Sequence, residues 1–184
     1  MTGSEQPHKA GGEIVLAPHS AEWASSFDRE AAAIANALAD VPIEVHHIGS
    51  TAIPGIIAKP VIDMLGIVPA LDELDAHAHR LTALGYESLG EYGISGRRYF
   101  RKDAPDGART HQLHAFATGS PEIQRHLDFR DYLRAFPADA AAYAALKRDL
   151  AQHCGDDMKA YSEGKTEFVR TIERRAALWR ARRD

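Results

Sequence analysis

A single cysteine, Cys154, among 184 residues excludes an internal disulfide and any cysteine-based metal cluster. A reducing, cytoplasmic compartment is the expectation that follows. No apolar run reaches the roughly 18 residues of a membrane-spanning helix, so no membrane partner is expected. Residues 1–12, Met-Thr-Gly-Ser-Glu-Gln-Pro-His-Lys-Ala-Gly-Gly, lack the apolar stretch of a secretory signal and read as a mobile lead-in. Positive charge is not in excess either. With 22 Lys and Arg against 26 Asp and Glu, the net charge of −4 gives no global field to hold duplex nucleic acid, and any phosphate ligand must be bound locally. No heptad pattern is long enough to force a coiled coil, which leaves the oligomeric state open.

What remains is an ordinary globular composition, 45% hydrophobic, 26% charged and 8% aromatic, of a length that suits one domain over residues 13–184. Trp23, Phe27, Ala31, Ile34 and Leu38 recur mostly at three- and four-residue intervals, which predicts an amphipathic helix with Ser20 as its N-cap. Residues 43–48 are rich in β-branched side chains and predict a strand. Residues 61–68 are apolar on both faces and predict a buried central strand in which Asp63 is the anomaly. A helix is expected over residues 71–84, stopped by Gly85, and strands over 86–89, 97–102 and 110–117. From Pro121 onward the pattern is helical, broken at Pro137 and Gly155, and the Ala-rich run at 138–145 reads as scaffold. The fold class is therefore α+β, a mixed sheet flanked by helices with a helical C-terminal part.

The chemistry concentrates in His46-His47-Ile48-Gly49-Ser50-Thr51-Ala52-Ile53-Pro54-Gly55 and Lys59-Pro60-Val61-Ile62-Asp63. Gly49-Ser50 after a strand offers backbone N–H groups and a hydroxyl with little bulk, where a phosphate can approach. Asp63 on the following strand would then face that phosphate through Mg²⁺ or Mn²⁺, hard cations that bridge carboxylates and phosphates. Lys59 is a further phosphate candidate. The plainer alternative is a tight turn at Gly49-Ser50-Thr51, ordered by a buried Asp63. Strand alternation splits Arg97-Arg98-Tyr99-Phe100-Arg101-Lys102 into two faces. If Phe100 packs inward, Arg98 and Lys102 share its side, available to hold phosphates or to pair with acids such as Glu91. Alternation also puts His111 and His114 on opposite faces, with Gln112 on that of His114.

These strings, with His111-Gln112-Leu113-His114, the run from Arg125 to Arg134 and Tyr161-Ser162-Glu163-Gly164-Lys165-Thr166-Glu167-Phe168-Val169, resemble the GrpB family, also called UPF0157, from about Ile14 to Trp179. The resemblance implies a nucleotidyltransferase-like fold and raises the prospect that Arg130 or Asp131 reaches the pocket. The same domain resembles one appended to some bacterial dephospho-coenzyme A kinases. The Gly-x-x-x-x-Gly-Lys-Ser/Thr loop of such a kinase does not occur in this sequence, which excludes that activity here.

The metal-binding pair of an active nucleotidyltransferase, Asp-x-Asp/Glu, places both carboxylates on one strand face, but here the second position is Leu65. A polymerase-type two-metal site is not expected from this strand alone. His47 and His114 are candidates to complete a metal set with Asp63, with Zn²⁺ ranked below Mg²⁺ or Mn²⁺ as the cofactor; the plainer alternative is that both imidazoles satisfy buried partners. The first expectation is a protein that binds a nucleotide or other phosphorylated small molecule at Gly49, Ser50 and Thr51. Asp63 would be catalytic, and a nucleotidyl group would pass to an unidentified acceptor. The rivals are a catalytically silent pocket that binds a phosphometabolite or a partner, and a metal-dependent hydrolase built on His47, Asp63 and His114.

Overall fold

Asp63 and its neighbours lie in a five-stranded sheet, as shown by a computed structural model that describes residues 14–183. The lead-in expected at residues 1–12 lies outside the described residues. In chain order the elements are α1 (Glu22–Ala37), β1 (Glu44–Ile48), a single helical turn (Ser50–Ala52), β2 (Ile62–Val68), α2 (Leu71–Ala83), β3 (Tyr86–Ser88), β4 (Arg97–Asp103) and β5 (Arg109–Ala117). The C-terminal part is α3 (Pro121–Ala135), α4 (Pro137–Cys154), α5 (Met158–Gly164) and α6 (Thr166–Arg180). The strand order is β1-β2-β5-β4-β3, and only the β2–β5 pair is parallel.

The predicted boundaries hold to within a residue or two, for physical reasons that can be named. Pro121 and Pro137 open α3 and α4, where their missing N–H costs nothing. Ser120 caps α3 by accepting from the Glu122 N–H. Helix α1 begins one residue later than a Ser20 cap requires, with Ala21 at the cap, although the Ser20 hydroxyl still accepts from the Glu22 N–H at 3.2 Å. Helix α5 is an element that the apolar spacing did not announce.

Alternation along β2 divides the molecule. Ile62, Met64 and Val68 join Leu113, Phe100 and Tyr86 on one face, covered by Trp23 and Ile34 of α1 and Leu74 and Leu81 of α2. Leu65 and Ile67 lie on the other face with Ile48 and Phe116, covered by Ile123 and Leu127 of α3. Helices α3, α4 and α6 add a cluster of their own, which takes in Ile53 and Ile56 from the segment between β1 and β2. That segment is thus anchored to the helical part, so the Gly49-Ser50 turn and Asp63 look toward α4 and α5. Among the described residues, no helix is long and apolar enough to cross a membrane.

Candidate functional site

Between the α3 face of the sheet and the C-terminal helices is a cavity of about 300 Å³. Gly49, Ser50, Thr51, Lys59 and Asp63 line it from the β1–β2 side, Gln112 from β5, and Tyr143, Lys147, Tyr161, Ser162 and Lys165 from the helices. Gly49 has to be glycine. Its φ is +70°, and a Cβ there would lie 2.5 Å from the Asp63 carboxylate oxygen Oδ2. The backbone of the turn therefore packs directly against Asp63. Two arginines of α3 fix that turn from behind: Arg130 Nη1 donates to the His47 carbonyl at 3.1 Å, and Arg134 Nε to the Ala52 carbonyl at 2.9 Å. Arg130 serves the turn's backbone, and the neighbouring Asp131 pairs with Arg130 at 2.7 Å.

Three lysines converge here from separate elements. Lys147 of α4 is 2% exposed, donates to the Ile57 carbonyl and sits 4.6 Å from the centre of the Tyr143 ring. Lys165, between α5 and α6, and Lys59 both lie over the Tyr161 ring, at 4.3 and 5.6 Å. Among the described residues none of the three has a carboxylate within ion-pair distance. Burial, with Lys165 adding to it, lowers the Lys147 pKa to about 7. Burial also lowers Lys165 to about 8, helped by Lys59 and opposed by Asp63, and it lowers Lys59, again opposed by Asp63. Asp63 is thus the one acid among the cavity-lining residues, set against three ammonium groups. Burial pushes the Tyr143 phenol up, with Ser50 pulling the other way.

The other residues singled out from the sequence lie elsewhere or are already engaged. Arg98 and Lys102 do flank an inward-packed Phe100, but on the face covered by α1 and α2. There Arg98 forms a two-pronged pair with Asp75 at 2.7 Å and Lys102 pairs with Glu30 at 2.8 Å, while Glu91 accepts from the Gly96 N–H instead. His47 is in register with Met64 and Ile48 with Asp63, so His47 points away from Asp63 and stacks on Phe27 at 4.9 Å. Burial, then Arg134, lowers its pKa to about 4. Its Nε2 lies 2.9 Å from the Thr51 hydroxyl, which donates in turn to the Val61 carbonyl at 3.3 Å, so Thr51 is a pin in the turn with its hydroxyl committed.

His114 does share the face of Asp63, as alternation predicts, but Nε2 is 3.9 Å from Oδ1, beyond hydrogen-bond distance. Arg97 Nη1 approaches His114 Nδ1 at 3.2 Å, and a guanidinium only donates. Nδ1 must then accept, which leaves the proton on Nε2, toward Asp63, and no lone pair there for a metal. The expected set of His47, Asp63 and His114 therefore does not assemble. Among the described residues no group of three or more His, Cys, Asp or Glu is placed to hold a metal ion. Leu65, fully buried, occupies the position of a second carboxylate.

Lys147, Tyr143, Tyr161, Ser162 and Lys165 are not among the site residues expected from the sequence, although Tyr161, Ser162 and Lys165 fall in a string that resembles the GrpB family. One signal was available in α4, whose buried residues are Ala140, Tyr143, Ala144 and Lys147. That is a regular i, i+3, i+4, i+7 stripe whose last member is a lysine, which buried positions rarely hold without a function or a partner.

Comparison with known proteins agrees with this architecture. The model of the family described as GrpB protein matches residues 13–175. The chain is 42% identical over 172 residues to UPF0157 protein YqkA of Bacillus subtilis, covering 94% of this chain and 49% of that one, so it spans about half the length of that relative. A crystal structure of the conserved protein GrpB from Enterococcus faecalis superimposes with a TM-score of 0.82 at 40% identity, covering 88% of this chain and 96% of that one. The Cid1 poly(U) polymerase with Mg and 3'-dATP bound shares the fold with a TM-score of 0.53 at 13% identity, over 73% of this chain and 43% of that one. The fold is therefore nucleotidyltransferase-like, and by sequence and architecture together the chain belongs to the GrpB family.

Proposed function

We propose that the cavity binds the phosphate groups of a nucleotide or a related phosphorylated small molecule. One observation carries this: three lysines from three separate segments of the chain, none paired with an acid among the described residues, converge on a glycine-walled cavity that has a single carboxylate. Burying ammonium groups without counter-charge is costly, and proteins accept that cost where a ligand supplies the charge. Phosphates suit the arrangement because lysine binds them as a point charge that can be approached from several directions.

The test is a thermal-shift comparison of wild type with Lys165→Gln, whose side chain is only partly buried. A nucleoside triphosphate at about 100 times its Kd should add about 2.7 kcal/mol, a shift of several degrees for a chain of this size. The expected result is a shift in wild type that is cut by about half or more in the variant. If nucleoside di- and triphosphates and sugar phosphates all leave the wild-type melting temperature unchanged, the proposal fails.

A second reading, metal-dependent nucleotidyl transfer to an acceptor hydroxyl or amine, is favoured by the fold shared with a polymerase whose structure has Mg and 3'-dATP bound. Asp63 would be the protein's carboxylate for one Mg²⁺ or Mn²⁺, an ion that would supply charge stabilisation on the phosphates. The residues do not fit a two-metal arrangement, because Leu65 replaces the second acid. Incubation with Mn²⁺ and an α-labelled nucleoside triphosphate, in wild type and Asp63→Asn, checks it. Label released or transferred by wild type alone would support this reading, and equal turnover in both proteins would exclude it.

A further inference from the structure

We propose that Lys59, Lys147 and Lys165 hold a condensed phosphate chain, a di- or triphosphate, without a divalent metal, so that the cavity recognises the chain and not the base of a nucleotide. The proposal deepens the phosphate-pocket reading and rests on it. It starts from a mismatch between this cavity and the chemistry of its fold. A polymerase-type site neutralises a triphosphate with metal ions held by paired carboxylates. Here the second carboxylate position is a fully buried leucine, Leu65, His114 presents a protonated nitrogen toward Asp63, and His47 points away from it. The positive charge that the metals would bring is already in the protein, on three side chains.

Those side chains are braced as binding groups. Lys147 is oriented by the Ile57 carbonyl and the Tyr143 ring, and Lys59 and Lys165 by the Tyr161 ring they share. They arrive from three separate segments of the chain, the one before β2, α4 and the α5–α6 junction, and all three line the cavity. A chain of two or three phosphates offers a separate charged group to each lysine, which a single phosphate does not. In the free protein Asp63 is their electrostatic counterweight, since it favours the charged forms of Lys59 and Lys165.

The cavity is small. Its volume of about 300 Å³ is at the bottom of the range for small-molecule pockets, roughly 300–1,000 Å³. The tyrosines that would be candidates for stacking a base are engaged: Tyr161 with two lysines, and Tyr143 with Lys147 and, at 5.3 Å and 7°, with Phe168.

The experiment is isothermal titration of the full chain with inorganic tripolyphosphate, in EDTA and again in Mg²⁺, followed by orthophosphate and by ATP, GTP, CTP and UTP. The expected result is tripolyphosphate binding in EDTA that Mg²⁺ does not tighten. Lys59→Gln and Lys165→Gln should each weaken it by about 10-fold or more, near 1.4 kcal/mol, with melting temperatures close to wild type, and the four nucleotides should agree within a few-fold. Binding that requires Mg²⁺, orthophosphate binding as tightly as the chain, or a 10-fold preference for one base would overturn the proposal while leaving the phosphate-pocket reading intact. If none of these ligands binds in either buffer, both fail together.

Discussion

The two faces of the sheet treat positive charge in opposite ways. On the face covered by α1 and α2, Arg98 is matched by Asp75, and Lys102 by Glu30, whose Oε1 also accepts from the Tyr86 hydroxyl at 2.9 Å. Beneath these pairs Met64, Phe100 and Leu113 are almost fully buried, and the charges form a neutral fringe around an apolar core. On the other face Lys147 is buried and Lys59 and Lys165 are half-buried, yet Asp63 is the one carboxylate lining their cavity. A cation matched by an acid on its own chain is structure, whereas three cations left unmatched at one place raise the free energy of the free protein and await a counter-charge from outside.

The largest expected effect is on the matched face. Phe100→Ala removes a 1%-exposed ring from the middle of that core and should cost about 3–5 kcal/mol in denaturant unfolding. The surviving folded fraction should keep its phosphate affinity, because no residue lining the cavity is a member of that core cluster. A variant that loses binding while still folded would mean that the two faces are coupled.

Protons give the next largest effect, and its sign is the reverse of the usual one. Lys147 and Lys165 are lowered to about 7 and about 8 in the folded chain against an ordinary 10.5, so between those values and 10.5 the unfolded state binds more protons. Stability of the free protein should therefore rise with pH, by roughly 1–3 kcal/mol from pH 7 to pH 9. Phosphate affinity should fall over the same range as the ammonium groups discharge. Titration near pH 7 in buffers of different ionisation enthalpy should show proton uptake on binding. If stability and affinity fall together above pH 7, the lysines are not the groups that titrate.

Gly49→Ala follows, at about 1–3 kcal/mol for backbone strain at positive φ, measured by thermal unfolding. Because the new Cβ would collide with Asp63 Oδ2, the variant should also perturb ligand binding more than its stability loss alone explains. An alanine accepted with no change in either quantity would mean that the turn does not pack against Asp63 as described.

The contrast between the faces also accounts for what could be read in advance. Alternation along a strand is local, so it correctly placed Gln112 and His114 together, put His111 opposite them, and set Arg98 and Lys102 beside an inward Phe100. The strands, their central member and the helical C-terminal part follow from equally local patterns. Which of the two strand faces meets the cavity is a question of which helices cover it, and that depends on contacts between residues far apart in the chain. Arg98 and Lys102 were therefore open to either reading. Lys147 escaped for a narrower reason. Tyr143, Leu146 and Leu150 also make a plausible apolar stripe, but the helix is rotated so that Ala140, Tyr143, Ala144 and Lys147 face inward. Lys165 lay within a string already associated with the GrpB family, but nothing in its spacing to Asp63 could signal that the two share a cavity.

The smallest expected effect separates matched charge from unmatched charge most directly. Asp75→Asn removes the partner of Arg98, whose side chain is 22% exposed against 42% for Asp75. At that exposure water and salt screen the pair, and the loss should stay below about 1 kcal/mol in thermal or denaturant unfolding. Phosphate binding should not change, since the freed Arg98 remains on the far side of the sheet. A gain in affinity for tripolyphosphate in Asp75→Asn would show that a released arginine on the α1–α2 face recruits phosphate as well as the lysines do. In that case the absence of an acid partner, and not the cavity around Lys59, Lys147 and Lys165, would be what makes a cation in this protein bind phosphate.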